Sequence, residues 1–123
     1  MSRTLAPEGQ LSFTAADKAR DHLLASSPDT SDETLANRLA DYCLAFGPPH
    51  RLFVVLKDRR APFPLAFTRK YKNVRCFTTD DTDAARAWVI KAASLGYSVT
   101  VSRDSRAGWG IGTIAEIRER IAP

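Results

Sequence analysis

The side chains best suited to chemistry in this sequence are basic, and they lie close together along the chain. Between Arg51 and Arg75 there are eight basic residues and one acid, Asp58, which gives this segment a net charge of +7. Lysine and arginine release condensed counterions when they meet phosphates, so such a segregated positive charge favours a polyanionic partner. We therefore predict a binding surface formed by these basic residues and one interleaved aromatic residue: Arg51, Lys57, Arg59, Arg60, Arg69, Lys70, Tyr71, Lys72 and Arg75.

The rest of the chain has no such excess of positive charge. Residues 1–50 carry four bases and seven acids, and residues 76–123 carry six of each. Because an aromatic ring among cations suits a nucleic-acid base held beside its phosphates, Tyr71 strengthens this interpretation, whereas Phe63 and Phe67 are expected in the core. The predicted function is therefore nucleic-acid binding (DNA or RNA), mostly through phosphates. The alternatives are a protein-interaction or inhibitor module that docks its basic face on an acidic protein, and a solvated surface without a partner.

A second, smaller candidate patch consists of Arg103, Arg106 and Trp109, in and just before the glycine-rich segment 105–113. The Gly-x-Gly-x-Gly spacing differs from the dinucleotide fingerprint, and no Lys-Ser/Thr pair follows as it does in a P-loop. We therefore predict no nucleotide cofactor here. The segment can form a tight turn that packs Trp109, a further strand over residues 109–117 paired with residues 97–102, or a contact site.

Other side chains give little indication of catalysis. His22 and His50 are too few, and too far from Cys43 and Cys76, to match a metal-ligand spacing. Both cysteines lie in apolar runs and are expected to be buried, reduced and structural. The aspartates of residues 80–83 are explained by capping of a helix. We predict no catalytic residue, no metal and no cofactor, and hence a protein that is not an enzyme.

Four segments have the spacing of helices. The first extends from a cap at Thr14 to about residue 25, and the second opens with a capping box of Thr30 and Glu33. The apolar face of the second helix ends before Gly47 and is formed by Leu35, Leu39, Tyr42, Cys43 and Phe46. The third covers residues 82–95, and the fourth opens with a capping box of Thr113 and Glu116.

Four segments have the character of strands. Residues 52–56 form a continuous apolar run typical of a buried strand. Residues 62–67 alternate apolar side chains with prolines, which predicts an edge strand paired in a hairpin with residues 52–56. Residues 74–77 form a third strand and residues 97–102 a fourth. The strand–helix–strand succession from residue 74 to residue 102 favours a parallel crossover.

The elements together predict an α+β fold in the order α-α-β-β-β-α-β-α. This is a two-layer single domain in which helices pack on a mixed sheet of about four strands. The domain covers residues 12–123 and follows a flexible N-terminal arm of residues 1–11. The chain has no apolar run long enough to span a membrane and no apolar signal core near Met1, so a cytoplasmic location without membrane contact is expected.

Overall fold

The elements of the chain follow one another in the predicted order. The computed structural model describes residues 8–101 and 112–121. Within these ranges the helices and strands are α1 (Glu8–Leu24), α2 (Asp32–Leu44), β1 (His50–Val55), β2 (Arg69–Tyr71), β3 (Val74–Thr79), α3 (Thr82–Ser94), β4 (Val99–Val101) and α4 (Ile114–Ile121). The predicted α+β class and the order α-α-β-β-β-α-β-α are confirmed.

Helix α2 is positioned by its cap and by its apolar face. The Ser31 hydroxyl accepts a hydrogen bond from the Thr34 amide at 3.1 Å, so the cap lies one residue after the predicted Thr30. Gly47, just beyond the end of the helix, has a φ of +77°, which favours glycine. The predicted apolar face is confirmed, because all five of its side chains are buried: Leu35, Leu39, Tyr42, Cys43 and Phe46.

Helices α3 and α4 begin at side chains that cap their free amides. The Asp81 carboxylate accepts hydrogen bonds from the amides of Asp83 and Ala84. The Thr113 amide donates to Glu116 Oε1 at 2.8 Å, and the Glu116 amide donates to Thr113 Oγ1 at 3.2 Å. These contacts form the predicted reciprocal capping box. Since α4 begins at Ile114, the alternative strand over residues 109–117 is wrong for its described part.

Helix α1 begins earlier than the sequence predicted. It starts at Glu8, so residues 8–11 of the predicted arm are helical, while residues 1–7 lie outside the described ranges. Ala16 and Leu23 are fully buried and stand two helical turns apart, which directs one face of α1 toward the core beside α2. In the described parts of the chain no helix combines the length and the apolar character needed to cross a bilayer.

The sheet has the strand order β2-β3-β1-β4, and its pairings are antiparallel. Strands β3 and β4 both pair with β1, so they run parallel to each other on its two sides, and α3 connects them across β1. The prediction of a mixed sheet is therefore wrong, because the described strands pair only in antiparallel fashion, although the strand–helix–strand crossover is present. The reason is the apolar run of β1, which takes an interior position where both of its edges are hydrogen-bonded.

Residues 62–67 do not form the predicted edge strand or the predicted hairpin with β1. Pro62 and Pro64 have no amide proton to donate to a ladder, and the segment is held to α3 instead. The Trp88 indole Nε1 donates to the Ala66 carbonyl at 2.7 Å, Leu65 is buried, and Phe63 packs against the core. Strand β2, which consists of predicted site residues, forms one edge of the described sheet, and β4 lies at the other end.

The two faces of the sheet differ in what covers them. Leu52, Val54, Val99 and Val101 are buried on the face where the helices pack. On the opposite face one row across the strands contains Arg69, Cys76, Phe53 and Thr100, and the next contains Tyr71, Val74 and Val55. We call this second face the open face, because Tyr71 and Val55 there are 64% and 57% exposed. Strand β2 thus forms an edge with access to both faces.

Candidate nucleic-acid interface

Arg75 joins the two halves of the basic segment. It lies in β3 opposite Lys70 and Val54, and only 4% of its surface is exposed. Its Nη1 donates to the carbonyls of Lys72 and Val74 at 2.9 and 3.1 Å, and its Nη2 donates to the Arg59 carbonyl at 3.0 Å. A single buried guanidinium therefore ties the loop after β1 to the turn between β2 and β3.

Further hydrogen bonds fix the loop after β1 and the turn between β2 and β3, which we call the two basic connections. The Leu56 amide donates to the Asn73 carbonyl at 2.7 Å, and Asn73 Nδ2 donates to the Leu56 carbonyl at 2.9 Å. In the loop after β1, the Asp58 carboxylate accepts from the Arg60 amide at 2.9 Å, as in an Asx turn. Asp58, the acid of the basic segment, thereby shapes the loop that presents Arg59 and Arg60.

Cations from both connections line one surface depression, which we call the basic concavity. Its volume is about 460 Å³, and its described lining is Arg59, Arg60, Ala61, Lys70, Lys72 and Arg75. No acid is among these lining residues, and every one of them except Ala61 is a cation. Exposed arginine and lysine side chains around a buried guanidinium form a site for an anion with several oxygens, such as a phosphate.

A second depression lies on the open face, on the other side of β2. It has a volume of about 490 Å³ and is lined by Phe53, Arg69, Lys70, Tyr71, Val74 and Cys76. Side chains alternate along a strand, so Arg69 and Tyr71 lie on this face while Lys70 lies toward the basic concavity. Lys70 lines both depressions, which makes them neighbours across the edge strand.

Three arginines outside the basic segment have their charge balanced by a carboxylate. Arg20, Arg86 and Arg118 form ion pairs with Asp17, Asp41 and Asp32, respectively. Within residues 8–101 and 112–121, no such pair involves a basic residue of the segment from Arg51 to Arg75. The positive charge of this segment is therefore not neutralised by the described part of the protein and can act on an external anion.

The remaining predicted site residues lie apart from the basic concavity. Arg51 is exposed on the open face but lies three positions before Val54, the partner of Arg75, which places it about 10 Å away along β1. Lys57 is exposed and lines neither depression. The predicted second patch of Arg103, Arg106 and Trp109 lies outside the described residues.

His50, considered from the sequence only as a metal ligand, is a buried polar residue. It is the first residue of β1, and its Nε2 lies 3.0 Å from the Thr82 hydroxyl, while its Nδ1 has no hydrogen-bond partner. Burial lowers the pKa of His50 below the ordinary histidine value, and the nearby Asp80 carboxylate opposes this shift. The folded protein therefore favours the neutral imidazole.

The lowered pKa of His50 predicts a loss of stability in acid. Below about pH 6.5 the unfolded chain binds a proton that folded His50 binds less readily, so the free energy of unfolding falls as the pH decreases toward the folded pKa. We expect wild type to lose more stability than His50→Gln between about pH 7.5 and pH 5. Urea unfolding of both proteins at both pH values measures this loss. A difference in stability between the two proteins that does not change with pH would contradict the lowered pKa of His50. His22 is present in both proteins and cancels.

The cysteines match their predicted state. Cys43 and Cys76 are both buried and neither forms a disulfide; Cys43 lies on the face of α2 that packs in the core, and Cys76 lies in β3. Among the described residues, no three histidine, cysteine, aspartate or glutamate side chains gather in a group that could hold a metal ion. A comparison of the chain with protein-family models, with curated proteins and with solved structures finds no match.

Proposed function

We propose that this protein is a non-enzymatic nucleic-acid binder that holds phosphates in the basic concavity. The observation that carries this proposal is the position of Arg75. Its buried guanidinium bonds to both basic connections, so that Arg59 and Arg60 face the same depression as Lys70 and Lys72. Cations that are held together before binding lose less conformational freedom on meeting a phosphate chain than cations on separate loops.

The chemistry of the lining supports binding rather than catalysis. The described residues of the basic concavity are arginine, lysine and alanine, none of which serves there as a metal ligand. Arginine stays protonated, and an exposed lysine is protonated near neutral pH. Such side chains attract and orient an anion, whereas acid–base chemistry requires a group that can accept a proton.

Helix α3, which follows β3, offers no basic face for reading base edges in a major groove. Helix α3 carries Arg86 and Lys91, and Arg86 is engaged by the Asp41 carboxylate and by the Asn37 carbonyl. A groove-reading helix presents unpaired polar side chains along one face. The proposal is therefore binding with little dependence on sequence, through phosphate oxygens.

The salt dependence of binding tests the proposal. With phosphates at Arg59, Arg60, Lys70 and Lys72, the logarithm of the association constant falls with the logarithm of salt concentration with a slope of about −2.8 for single strands and −3.6 for duplexes. Between about 50 and 200 mM salt the affinity is therefore expected to fall about 50-fold to 150-fold. Fluorescence anisotropy with labelled oligonucleotides measures this change.

Two other outcomes would count against the proposal. An absence of binding to any oligonucleotide at about 50 mM salt would overturn it. The same basic surface would then fit an acidic protein, which a pull-down with the wild-type chain and a charge-reversed variant can identify. Binding whose affinity does not change with salt would exclude phosphate contacts as its source.

A further inference from the structure

The open face carries an exposed aromatic ring that the phosphate contacts do not use. Tyr71 is the last residue of β2 and is 64% exposed. It lies in one row with Val74 and Val55, and Arg69 is two residues before it on the same face. An exposed ring at a sheet edge offers apolar surface to a ligand, because burial of such surface favours binding.

The position of this ring is fixed relative to the basic concavity. Strand β2 is three residues long, and its alternation directs Lys70 to one side and Tyr71 to the other. The next residue, Lys72, has a φ of +52°, lines the basic concavity, and places its Nζ 5.6 Å from the centre of the Tyr71 ring. The aromatic face and the phosphate-binding cations are thus separated by the thickness of one strand.

We propose that the ligand is a single-stranded nucleic acid whose phosphates occupy the basic concavity and whose neighbouring base stacks on Tyr71 at the open face. This inference rests on the proposed function. The charge of the rim agrees with it, because Arg69 and Lys70 line the depression beside the ring and can hold the next phosphate. The apolar side chains of Phe53 and Val74 in the same depression offer a dry surface to the edge of the base.

A single strand fits this arrangement better than a duplex. In a duplex each base is stacked between its neighbours, so its face is not available to a protein ring. In a single strand the bases can turn outward and stack on aromatic side chains while basic residues follow the backbone. One edge strand with cations on one side and an aromatic ring on the other provides both contacts to the same nucleotide chain.

The test compares single-stranded and duplex DNA in wild type, Tyr71→Leu and Tyr71→Phe. The single-stranded probe is an oligothymidylate of about 12 nucleotides. A backbone of equal length without bases is used as a further probe beside the duplex. We expect Tyr71→Leu to weaken binding of the oligothymidylate by about 5-fold to 150-fold, the range for loss of one stacked base. Tyr71→Phe keeps the ring and should bind like wild type, and neither substitution should change binding of the duplex or of the baseless backbone.

The outcomes separate this inference from the proposed function. If no probe binds, the proposed function fails and the inference falls with it. If all probes bind with similar affinity and Tyr71→Leu has no effect, phosphate binding stands and stacking on Tyr71 is excluded. Circular dichroism melts of the variants establish that they are folded. Val55→Ala is a further control: it tests whether loss of any exposed apolar side chain of the open face weakens oligothymidylate binding as Tyr71→Leu does.

Discussion

Replacing Arg59 and Lys70 together by alanine will weaken binding of single-stranded DNA by about 25-fold at about 100 mM salt. Each lost phosphate contact removes about 0.7 from the slope of affinity against salt, so the slope of the double variant is expected to be shallower by about 1.4. Arg59 lies in the loop after β1 and Lys70 in strand β2, and both line the basic concavity. Their joint effect therefore measures whether the loop and the edge strand act on one ligand.

The fold should tolerate this double substitution. Both side chains are exposed, and neither forms one of the ion pairs found in the described residues. Arg59 contributes its backbone carbonyl to Arg75, and that carbonyl remains in the alanine variant. Exposed substitutions of this kind usually change the free energy of unfolding by less than about 0.5 kcal/mol.

A matched control is Lys18→Ala combined with Lys91→Ala. These lysines are exposed on α1 and α3, and their loss changes the net charge by the same amount. Anisotropy titrations at several salt concentrations give affinity and slope for both double variants. An equal loss in the two proteins would mean that net charge alone attracts the ligand, and it would contradict a site at the concavity. If Arg59→Ala/Lys70→Ala aggregates but keeps its affinity, the role of Lys70 is instead to prevent association of protein molecules at the exposed sheet edge.

The starts of α3 and α4 could be predicted because their capping contacts are local. The Asp81 carboxylate reaches an amide three residues ahead, and Thr113 and Glu116 cap each other over the same distance. Residue type and spacing fully specify such contacts. The burial of Val99 and Val101 likewise follows from alternation along one strand.

The sheet edge could not be predicted in the same way. Alternation predicts burial of Phe63, Leu65 and Phe67; Leu65 is buried and Phe63 packs against the core, but Phe67 is 43% exposed, so the expectation for Phe67 is wrong. An irregular segment can bury Phe63 and Leu65 as well as a strand does. What selects the irregular form is the hydrogen bond from Trp88 to the Ala66 carbonyl, between residues that are 22 positions apart. Residues Arg69–Tyr71 form this edge of the sheet instead. The start of the strand is fixed by Thr68, whose amide and hydroxyl both donate to the Cys76 carbonyl.

The role of Arg75 in joining the two basic connections could not be predicted either, because the sequence does not distinguish a buried arginine from an exposed one. Arg69 and Arg75 belong to the same basic cluster, yet the first is exposed and the second is buried. The difference arises from register, since Arg75 lies between Val54 and Lys70 on the face that the helices cover. Whether the basic connections form one patch or two therefore depended on strand pairing, which involves contacts distant in sequence.

Arg75→Met is expected to lower the free energy of unfolding by about 2–3 kcal/mol and the melting temperature by about 10 °C. The variant loses three hydrogen bonds from the guanidinium to the carbonyls of Arg59, Lys72 and Val74. Part of this cost is offset, because methionine fills similar space and removes a buried charge that has no carboxylate partner among the described residues. Thermal and urea unfolding followed by circular dichroism measure both quantities.

Arg69→Met is the matched control, because it removes the same charge from an exposed position of the neighbouring strand. It should change stability by less than about 0.5 kcal/mol and affinity for DNA by no more than about 5-fold, the effect of one cation. At a temperature where both variants are folded, Arg75→Met should lose more affinity than this, since Arg59 and Arg60 are no longer held beside Lys70 and Lys72. Arg75→Lys keeps the charge without the planar fork and should lose stability as well. An Arg75→Met protein as stable as Arg69→Met would show that the guanidinium does not hold the two connections together.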